Sequence, residues 1–390
     1  MDSEGAVLGA SRVLRGRNVR ANAMHHALSD KPVVSVRSVV RFAGIALGLL
    51  SVGRASRADE GEALPILTVL NWSDYIDPKV YSQFGQLFHC QVKESTFDSP
   101  EEALNKMIAG GSRTFDVCAV GGNFLMPAAI AEGVLKELDH ARIPNLKNLA
   151  PQYQNPAYDP GNRYSIPYQW GTTGVVIRRD LVPPGGFSLA AFFDPARELG
   201  RFDLIDSERE MLGYANLYQG KPLNSVDVDT LRASIALLTQ AKNSRNCVGF
   251  DPGVGGRNKV AAGAADYAIG YSGGAVRLLA LYPGRFAYVI PREGAPMWVD
   301  TLGIAHDAPH PDLAYAFLNY ILEPKIGAQI SNYTKYPSPN QAAWPYVDPA
   351  DRANPAIYPS EDDQKRLHLV ENLGDRETFR DDAWSAVKSN

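Results

Sequence analysis

The stretch Leu67-Thr68-Val69-Leu70-Asn71-Trp72-Ser73-Asp74-Tyr75-Ile76 changes character in its middle. The apolar run from 67 to 70 is typical of a strand that is buried on both faces. Polar and aromatic side chains follow at once, and Asp77-Pro78 then predicts the start of a helix. Ligands bind at the carboxyl ends of strands in open α/β sheets. Two aromatic rings beside a carboxylate indicate a site for an organic cation, although Trp72 as a core residue and Asp74 as a helix cap would explain the same residues.

Strands and helices alternate in the residues that follow. Residues 91–95 and 115–120 have the pattern of strands, and helices are predicted from about Asp98 and about Phe124. This order predicts a parallel sheet with right-handed crossovers. Two later extended runs, residues 165–177 and 296–304, are long and interrupted by Pro or Gly. They suit a chain that leaves one α/β domain and later returns to it.

The N-terminus has the pattern of a secretory signal peptide. Arg37 and Arg41 precede an apolar run, residues 42–50, and Ser56-Arg57-Ala58 offers small residues at a cleavage site. Residues 1–58 are therefore interpreted as an N-terminal extension and signal peptide. We expect a periplasmic protein whose mature chain starts near Asp59.

Composition limits the functional classes. Of the 390 residues, 45% are hydrophobic and 21% charged, as in ordinary soluble domains. Residues 1–58 hold nine Lys or Arg and three Asp or Glu, which leaves 30 basic and 40 acidic residues in the rest of the chain. An acidic exported protein repels nucleic acid, so no nucleic-acid partner is expected.

Metal and redox chemistry have little support in the sequence. The histidines outside the extension are isolated, and no close Cys/His cluster occurs, so neither a metal nor a cofactor is expected. The three cysteines, Cys90, Cys118 and Cys247, cannot all pair and show no C-x-x-C spacing. Buried free thiols are the favoured interpretation.

Several collinear motifs together resemble a known family. They are residues 70–76, residues 115–117, the segment Ile166-Pro167-Tyr168-Gln169-Trp170-Gly171-Thr172-Thr173-Gly174, residues 291–295 and residues 336–340. In this order they resemble the periplasmic spermidine/putrescine-binding proteins of ABC importers, which are extracellular solute-binding proteins of family 1 type. The likeness runs from about residue 66 to the end of the chain. Residues 380–388 resemble the C-terminal helix of the putrescine-binding branch.

The resemblance implies an α/β fold of the type II periplasmic binding class, with two lobes joined by crossing strands. Lobe 1 is expected at residues 59–171 and 299–345, and lobe 2 at 172–298 and 346–390. The lobes would close over a small cationic amine, and the closed form would dock on ABC transporter permease subunits in the inner membrane. Such receptors act as monomers and are not enzymes.

The resemblance also implies which residues bind the ligand. In the family, aromatic rings enclose the methylene chain of the polyamine and carboxylates hold its ammonium ends. The positions that match, or that stand at the family's ligand positions, are Trp72, Ser73, Asp74, Tyr75, Asn123, Glu210, Tyr271, Trp298, Asp300 and Tyr336.

Some of these positions depart from the family pattern. Asn123 stands where the family has hydroxyl or aromatic residues, and Tyr271 stands where it usually has a tryptophan. Ser207 and Gly274 replace acids that the two branches use. One ammonium anchor of the family is therefore missing, and an unpaired buried ammonium would cost several kcal/mol. The expected ligand is a polyamine or a related small amine, and the alternative is a shorter amine or one with a carboxylate or amide at its far end.

Other interpretations stay open. Gly270-Tyr271-Ser272-Gly273-Gly274 fits the G-x-S-x-G pattern of serine hydrolases, with acids and histidines later in the chain. The same fold could also bind an amino acid-like or opine-like solute. Among the site residues, Trp298 could pack at the hinge, Glu210 could favour a helix N-terminus, and Tyr336 could lie on the surface.

Overall fold

The computed structural model of the protein describes residues 63–97 and 99–389. The predicted extension and signal peptide, residues 1–58, lie outside the described residues. Within the described ranges, no helix combines the length and the apolar character needed to cross a membrane.

The strands of the described residues form one mixed sheet in the order β2-β1-β3-β9-β4-β7-β5-β6, with β8 pairing with β4 and β10 pairing with β9. Their bounds are β1 Ile66–Trp72, β2 Gln91–Phe97, β3 Val117–Gly121, β4 Ser165–Arg178, β5 Phe202–Ile205, β6 Cys247–Asp251, β7 Tyr267–Tyr271, β8 Phe286–Val289, β9 Ala295–Ile304 and β10 Leu367–Leu369.

Helices connect and cover these strands. Their bounds are α1 Pro78–Phe88, α2 Pro100–Ile108, α3 Gly122–Ala131, α4 Ala190–Phe193, α5 Glu208–Tyr218, α6 Val228–Lys242, α7 Gly255–Ala262, α8 Ser272–Leu281, α9 Pro311–Ile321, α10 Pro324–Thr334, α11 Pro349–Arg352, α12 Glu361–Gln364 and α13 Glu377–Ser389.

The opening motif folds as predicted. β1 pairs in parallel with β2 and β3, and its apolar residues Leu67, Val69 and Leu70 are buried. The Asp77 carboxylate accepts a hydrogen bond of 3.0 Å from the backbone N–H of Lys79, which caps α1. Such a cap satisfies a donor that a helix start leaves free.

The predicted parallel sheet is correct at the two ends of the sheet and wrong at its centre. β1, β2 and β3 run parallel, as do β5, β6 and β7, but β9 is antiparallel to both β3 and β4. The central strands are the two long extended runs. β4 carries the chain from one group of strands to the other and β9 brings it back, so they run in opposite directions.

The two largest apolar cores of the described residues draw on opposite ends of these crossing strands. The larger core draws on residues 67–170 and 299–336. The second draws on residues 175–295 and on 370–387, a segment that follows β10 and contains most of α13. The segment 347–357 contacts both sides, because Val347 packs with Ala328 and Ala343 while Ile357 packs with Val276.

Candidate ligand-binding site

A sharp turn after β1 decides which of its polar residues face inward. Asp74 has a φ of 56°, in the left-handed region that Asp tolerates better than most residues. The turn leaves Ser73 and Asp74 exposed and directs Tyr75 into the interior. The Tyr75 phenol therefore contributes to the buried site, whereas the Asp74 carboxylate lies at the surface.

Tyr75 is held in place from two sides. Its hydroxyl donates a hydrogen bond of 2.7 Å to Oδ2 of Asp300. Its backbone carbonyl accepts hydrogen bonds from the Tyr168 hydroxyl at 2.7 Å and from the Gln169 amide at 2.9 Å. Buried polar groups that are satisfied in this way fix a side chain in one position.

A series of aromatic rings surrounds Tyr75 and Asp300. Trp298 and Asp300 are two residues apart on β9 and so point to the same side of the sheet. The ring of Tyr336 lies 5.4 Å from that of Tyr75 and 5.2 Å from that of Trp298, and Tyr271 lies 6.2 Å from Trp298, all edge to face. Gly171 makes room, because a Cβ there would lie 2.5 Å from the Trp298 indole.

Trp72 completes this set at the end of β1. Its ring lies 4.4 Å from that of Phe97. Its buried indole N–H has no hydrogen-bond partner in the described part of the chain, and the same holds for the indole N–H of Trp298. Buried donors without partners are uncommon in proteins, and these two belong to the same aromatic set.

Burial dominates the electrostatics of Asp300. The side chain is 7% exposed, and this loss of water raises the pKa of its carboxyl to about 7. The Tyr75 hydroxyl and, at longer range, the Trp72 indole N–H oppose that rise in the pKa. No cationic side chain of the described residues lies within 4.0 Å of this carboxylate. A ligand ammonium would supply the missing charge.

Glu210 is a second buried acid near the same rings. It lies in the first turn of α5, is 8% exposed, and accepts a hydrogen bond from the Ser207 hydroxyl. Burial raises the pKa of its carboxyl, and its own backbone N–H opposes this. Glu210 and Asp300 both help to raise the pKa of the buried Tyr271 phenol, after burial itself. Both acids are therefore close enough to Tyr271 to influence its pKa.

The structure thus brings together Trp72, Tyr75, Glu210, Tyr271, Trp298, Asp300 and Tyr336. Asn123 lies next to this set, but its side chain amide is used by the backbone. Its Nδ2 donates to the carbonyl of Val370, and its Oδ1 accepts a hydrogen bond of 2.9 Å from the N–H of Val299. The bond to Val299 fixes the backbone of β9 at the residue between Trp298 and Asp300.

The hydrolase interpretation of Ser272 finds no support in its surroundings. The Ser272 side chain is buried, and its hydroxyl accepts a hydrogen bond of 3.4 Å from the N–H of Thr172. A nucleophilic serine needs a base within hydrogen-bond reach. No histidine of the described residues is a partner of Ser272.

Tyr158 is a site candidate that the sequence did not reveal. It lies between α3 and β4, and its buried hydroxyl has no partner among the described residues. Burial raises the pKa of this phenol, and Asp159 and Asp300 add to the rise. Its ring packs against Gly122, where a Cβ would lie 3.1 Å away. None of the sequence motifs predicts this contact between Tyr158 and Gly122.

Thiols and metal ligands are not part of the site. Cys90 and Cys118 are buried and free, as favoured from the sequence, and Cys247 is free and partly exposed. Within residues 63–97 and 99–389, no group of His, Cys, Asp and Glu side chains could hold a metal ion.

Comparison with known proteins gives consistent results. The bacterial extracellular solute-binding protein family matches residues 79–356. The putrescine/agmatine-binding protein of Pseudomonas aeruginosa is 34% identical over 368 residues, which cover 90% of this chain and 99% of that protein. The putrescine-binding periplasmic protein PotF of Escherichia coli is 31% identical over 365 residues, which cover 88% of this chain and 96% of that protein.

A solved structure shares the fold. The putative spermidine/putrescine ABC transporter from Listeria monocytogenes superposes with a TM-score of 0.74 at 30% sequence identity, covering 83% of this chain and 98% of that one. The fold is therefore that of the periplasmic binding proteins, as predicted. This chain belongs to the bacterial extracellular solute-binding protein family, whose members serve as substrate-binding components of transporters and not as enzymes.

Proposed function

We propose that this protein binds a polyamine or a related small amine among Trp72, Tyr75, Glu210, Tyr271, Trp298, Asp300 and Tyr336, and delivers it to a membrane permease. One observation carries the proposal. The carboxylate of Asp300 is buried among aromatic rings with a phenol for a partner and no cation of the described residues beside it. A buried charge is costly unless paired, and an ammonium between aromatic faces would pair it.

The ligand would lie between two lobes that close over it. Lobe 1 would comprise residues 59–171 and 299–345, and lobe 2 residues 172–298 and 346–390. The two largest apolar cores, which draw on opposite ends of β4 and β9, support this division. An ion pair of 3.0 Å between Arg209 on α5 and Glu101 on α2 would help to hold the closed form. The monomer would then dock on the permease subunits.

Export to the periplasm fits this role. The names of the curated relatives include periplasmic proteins. The charged, apolar and small-residue order of residues 37–58 would direct secretion, with cleavage near Ala58.

Calorimetry and tryptophan fluorescence with a panel of amines test the proposal. Putrescine, cadaverine, spermidine, agmatine, butylamine and 5-aminopentanoate would each be titrated into the purified protein. We expect saturable binding of at least one amine and a change in emission, because Trp72 and Trp298 border the site. If no amine on the panel gives heat or a fluorescence change, the proposed function is wrong.

Amine binding is expected to depend on pH through Asp300. Its pKa of about 7 in the free protein means that a proton competes with the ligand below that pH. An alkyl ammonium stays charged throughout, so affinity should fall about tenfold between pH 8 and pH 6. Dissociation constants from calorimetry at both values measure this. A wild-type affinity that does not change with pH would contradict the assignment of Asp300.

A further inference from the structure

Two arginines near Tyr336 have no acidic partner among the described residues. Arg257 on α7 and Arg277 on α8 are both partly buried. No carboxylate of residues 63–97 or 99–389 lies within 4.0 Å of either one. Lys259, two residues beyond Arg257, shows the usual arrangement: its ammonium lies 2.6 Å from Asp203 and 2.8 Å from Asp251. Charged side chains that are partly buried are normally paired in this way.

Arg257 retains donors for another partner. Its Nη1 donates to the carbonyl of Gly274 at 3.1 Å, and its Nε and Nη2 donate to the side chain oxygen of Asn258 at 3.3 and 3.0 Å. These bonds use neutral acceptors and leave part of the guanidinium's five N–H groups free. A carboxylate is the acceptor that this planar donor pattern fits best.

The position of Arg257 connects it to the amine site. A Cβ at Gly274 would lie 3.1 Å from Nη1 of Arg257, and a Cβ at Gly273 would lie 2.5 Å from the ring of Tyr336. The guanidinium and the Tyr336 ring therefore pack against neighbouring residues of the first turn of α8. Arg277 follows Gly274 by three residues on α8, so the two lie on one face of that helix.

Charges of both signs shift the pKa of the Tyr336 phenol. Burial raises the pKa of this phenol to about 12; Arg277 and Arg257 oppose the rise, and Asp300 adds to it. Burial and the charge of Arg277 together lower the pKa of Arg257. The start of α8 has no side chain cap, and the Gly274 backbone N–H there also opposes the rise in the pKa of the Tyr336 phenol.

We propose that Arg257 and Arg277 form an anion-binding subsite at the Tyr336 side of the amine site, so that the ligand carries a carboxylate opposite its ammonium group. The inference rests on the proposed function, since the ammonium end is bound at Asp300. It narrows the ligand class to small amino carboxylates. A second ammonium, as in a diamine, would instead meet two guanidinium groups and be repelled.

Titration of three ligands with similar polymethylene chains tests the subsite. 5-Aminopentanoate carries a carboxylate at its far end, putrescine an ammonium, and butylamine no charge. The wild-type protein is expected to bind 5-aminopentanoate about 10- to 100-fold more tightly than butylamine, the factor for one hydrogen bond between charged groups. Putrescine should bind no more tightly than butylamine. This comparison needs no variant.

Substitutions assign the effect to the arginines. Arg257→Gln and, separately, Arg277→Gln should remove most of the advantage of 5-aminopentanoate and leave butylamine binding unchanged. Arg232→Gln is the matched control, because Arg232 is exposed and forms its ion pair with Asp229 on its own helix. This control variant should bind 5-aminopentanoate and butylamine with the wild-type affinities.

The outcomes separate the two proposals. If putrescine binds more tightly than 5-aminopentanoate, or if neither arginine variant reduces the advantage of the carboxylate, the subsite is refuted while amine binding stands. If none of the three ligands binds and the wider amine panel also fails, the proposed function is refuted and the subsite with it.

Discussion

Replacing Asp300 with asparagine is expected to weaken amine binding by about 2–5 kcal/mol, the usual cost of removing one partner from a buried charge pair. This corresponds to a dissociation constant about 30- to 5000-fold higher. The substitution keeps the shape of the side chain and an acceptor for the Tyr75 hydroxyl, which donates to Oδ2 at 2.7 Å. The loss would therefore report the missing negative charge and not a disrupted site.

Calorimetry with the tightest amine of the panel measures the effect. Asp382→Asn serves as the control, since it makes the same chemical change at an exposed position on α13 and should leave the affinity unchanged. An Asp300→Asn protein that binds amine as tightly as the wild type would remove Asp300 from the site.

The same substitution is expected to stabilise the free protein at pH 8. The Asp300 carboxyl has a pKa of about 7 in the folded protein, compared with 3.8 for an ordinary aspartate. Between these values the unfolded state binds fewer protons, so this group lowers the stability as the pH rises from about 4 to 7. Above pH 7 the penalty is complete and amounts to at most about 4 kcal/mol, at about 1.4 kcal/mol per pKa unit.

Urea unfolding of the two proteins at pH 8 and pH 4.5 tests this prediction. The free energy of unfolding should be higher for Asp300→Asn by roughly 1–4 kcal/mol at pH 8, and the difference should fall to roughly a quarter of that at pH 4.5. If Asp300→Asn is less stable than the wild type at pH 8, then the folded protein already compensates the charge, and a ligand cation is not needed there.

Together these two expectations describe a residue that costs stability and supports binding. Residues kept in an unfavourable state by the fold are typical of functional sites. The ammonium of the ligand would pair with the buried charge of Asp300. Binding would therefore also stabilise the protein against unfolding.

Much of the fold followed from local sequence patterns. The apolar run of β1 and the Asp77-Pro78 helix start gave the first strand and helix, because buried strands and N-caps have strong local signals. The two long interrupted runs indicated crossing strands, which β4 and β9 are. Spacing also put Trp298 and Asp300 on one face, since side chains alternate along a strand. The antiparallel centre of the sheet was missed, because strand direction depends on how distant segments pair.

The details of the site were harder to predict. Ser73 and Asp74 belong to a matching motif, but the left-handed φ of Asp74 exposes both, and a motif does not specify that torsion. Asn123 was included by its position, yet its amide is bonded to the backbone. Tyr158 and Arg257 approach the site from segments with no motif of their own. Such contacts arise from packing between segments distant in sequence.

The most direct test is a crystal structure of the protein grown with the amine that binds most tightly. Our account predicts that an ammonium nitrogen of the ligand lies within about 2.7–3.0 Å of the Asp300 carboxylate, bordered by the rings of Trp298, Tyr75 and Tyr336. An amine bound at another place, with Asp300 still contacted by Tyr75 and no cation, would contradict it.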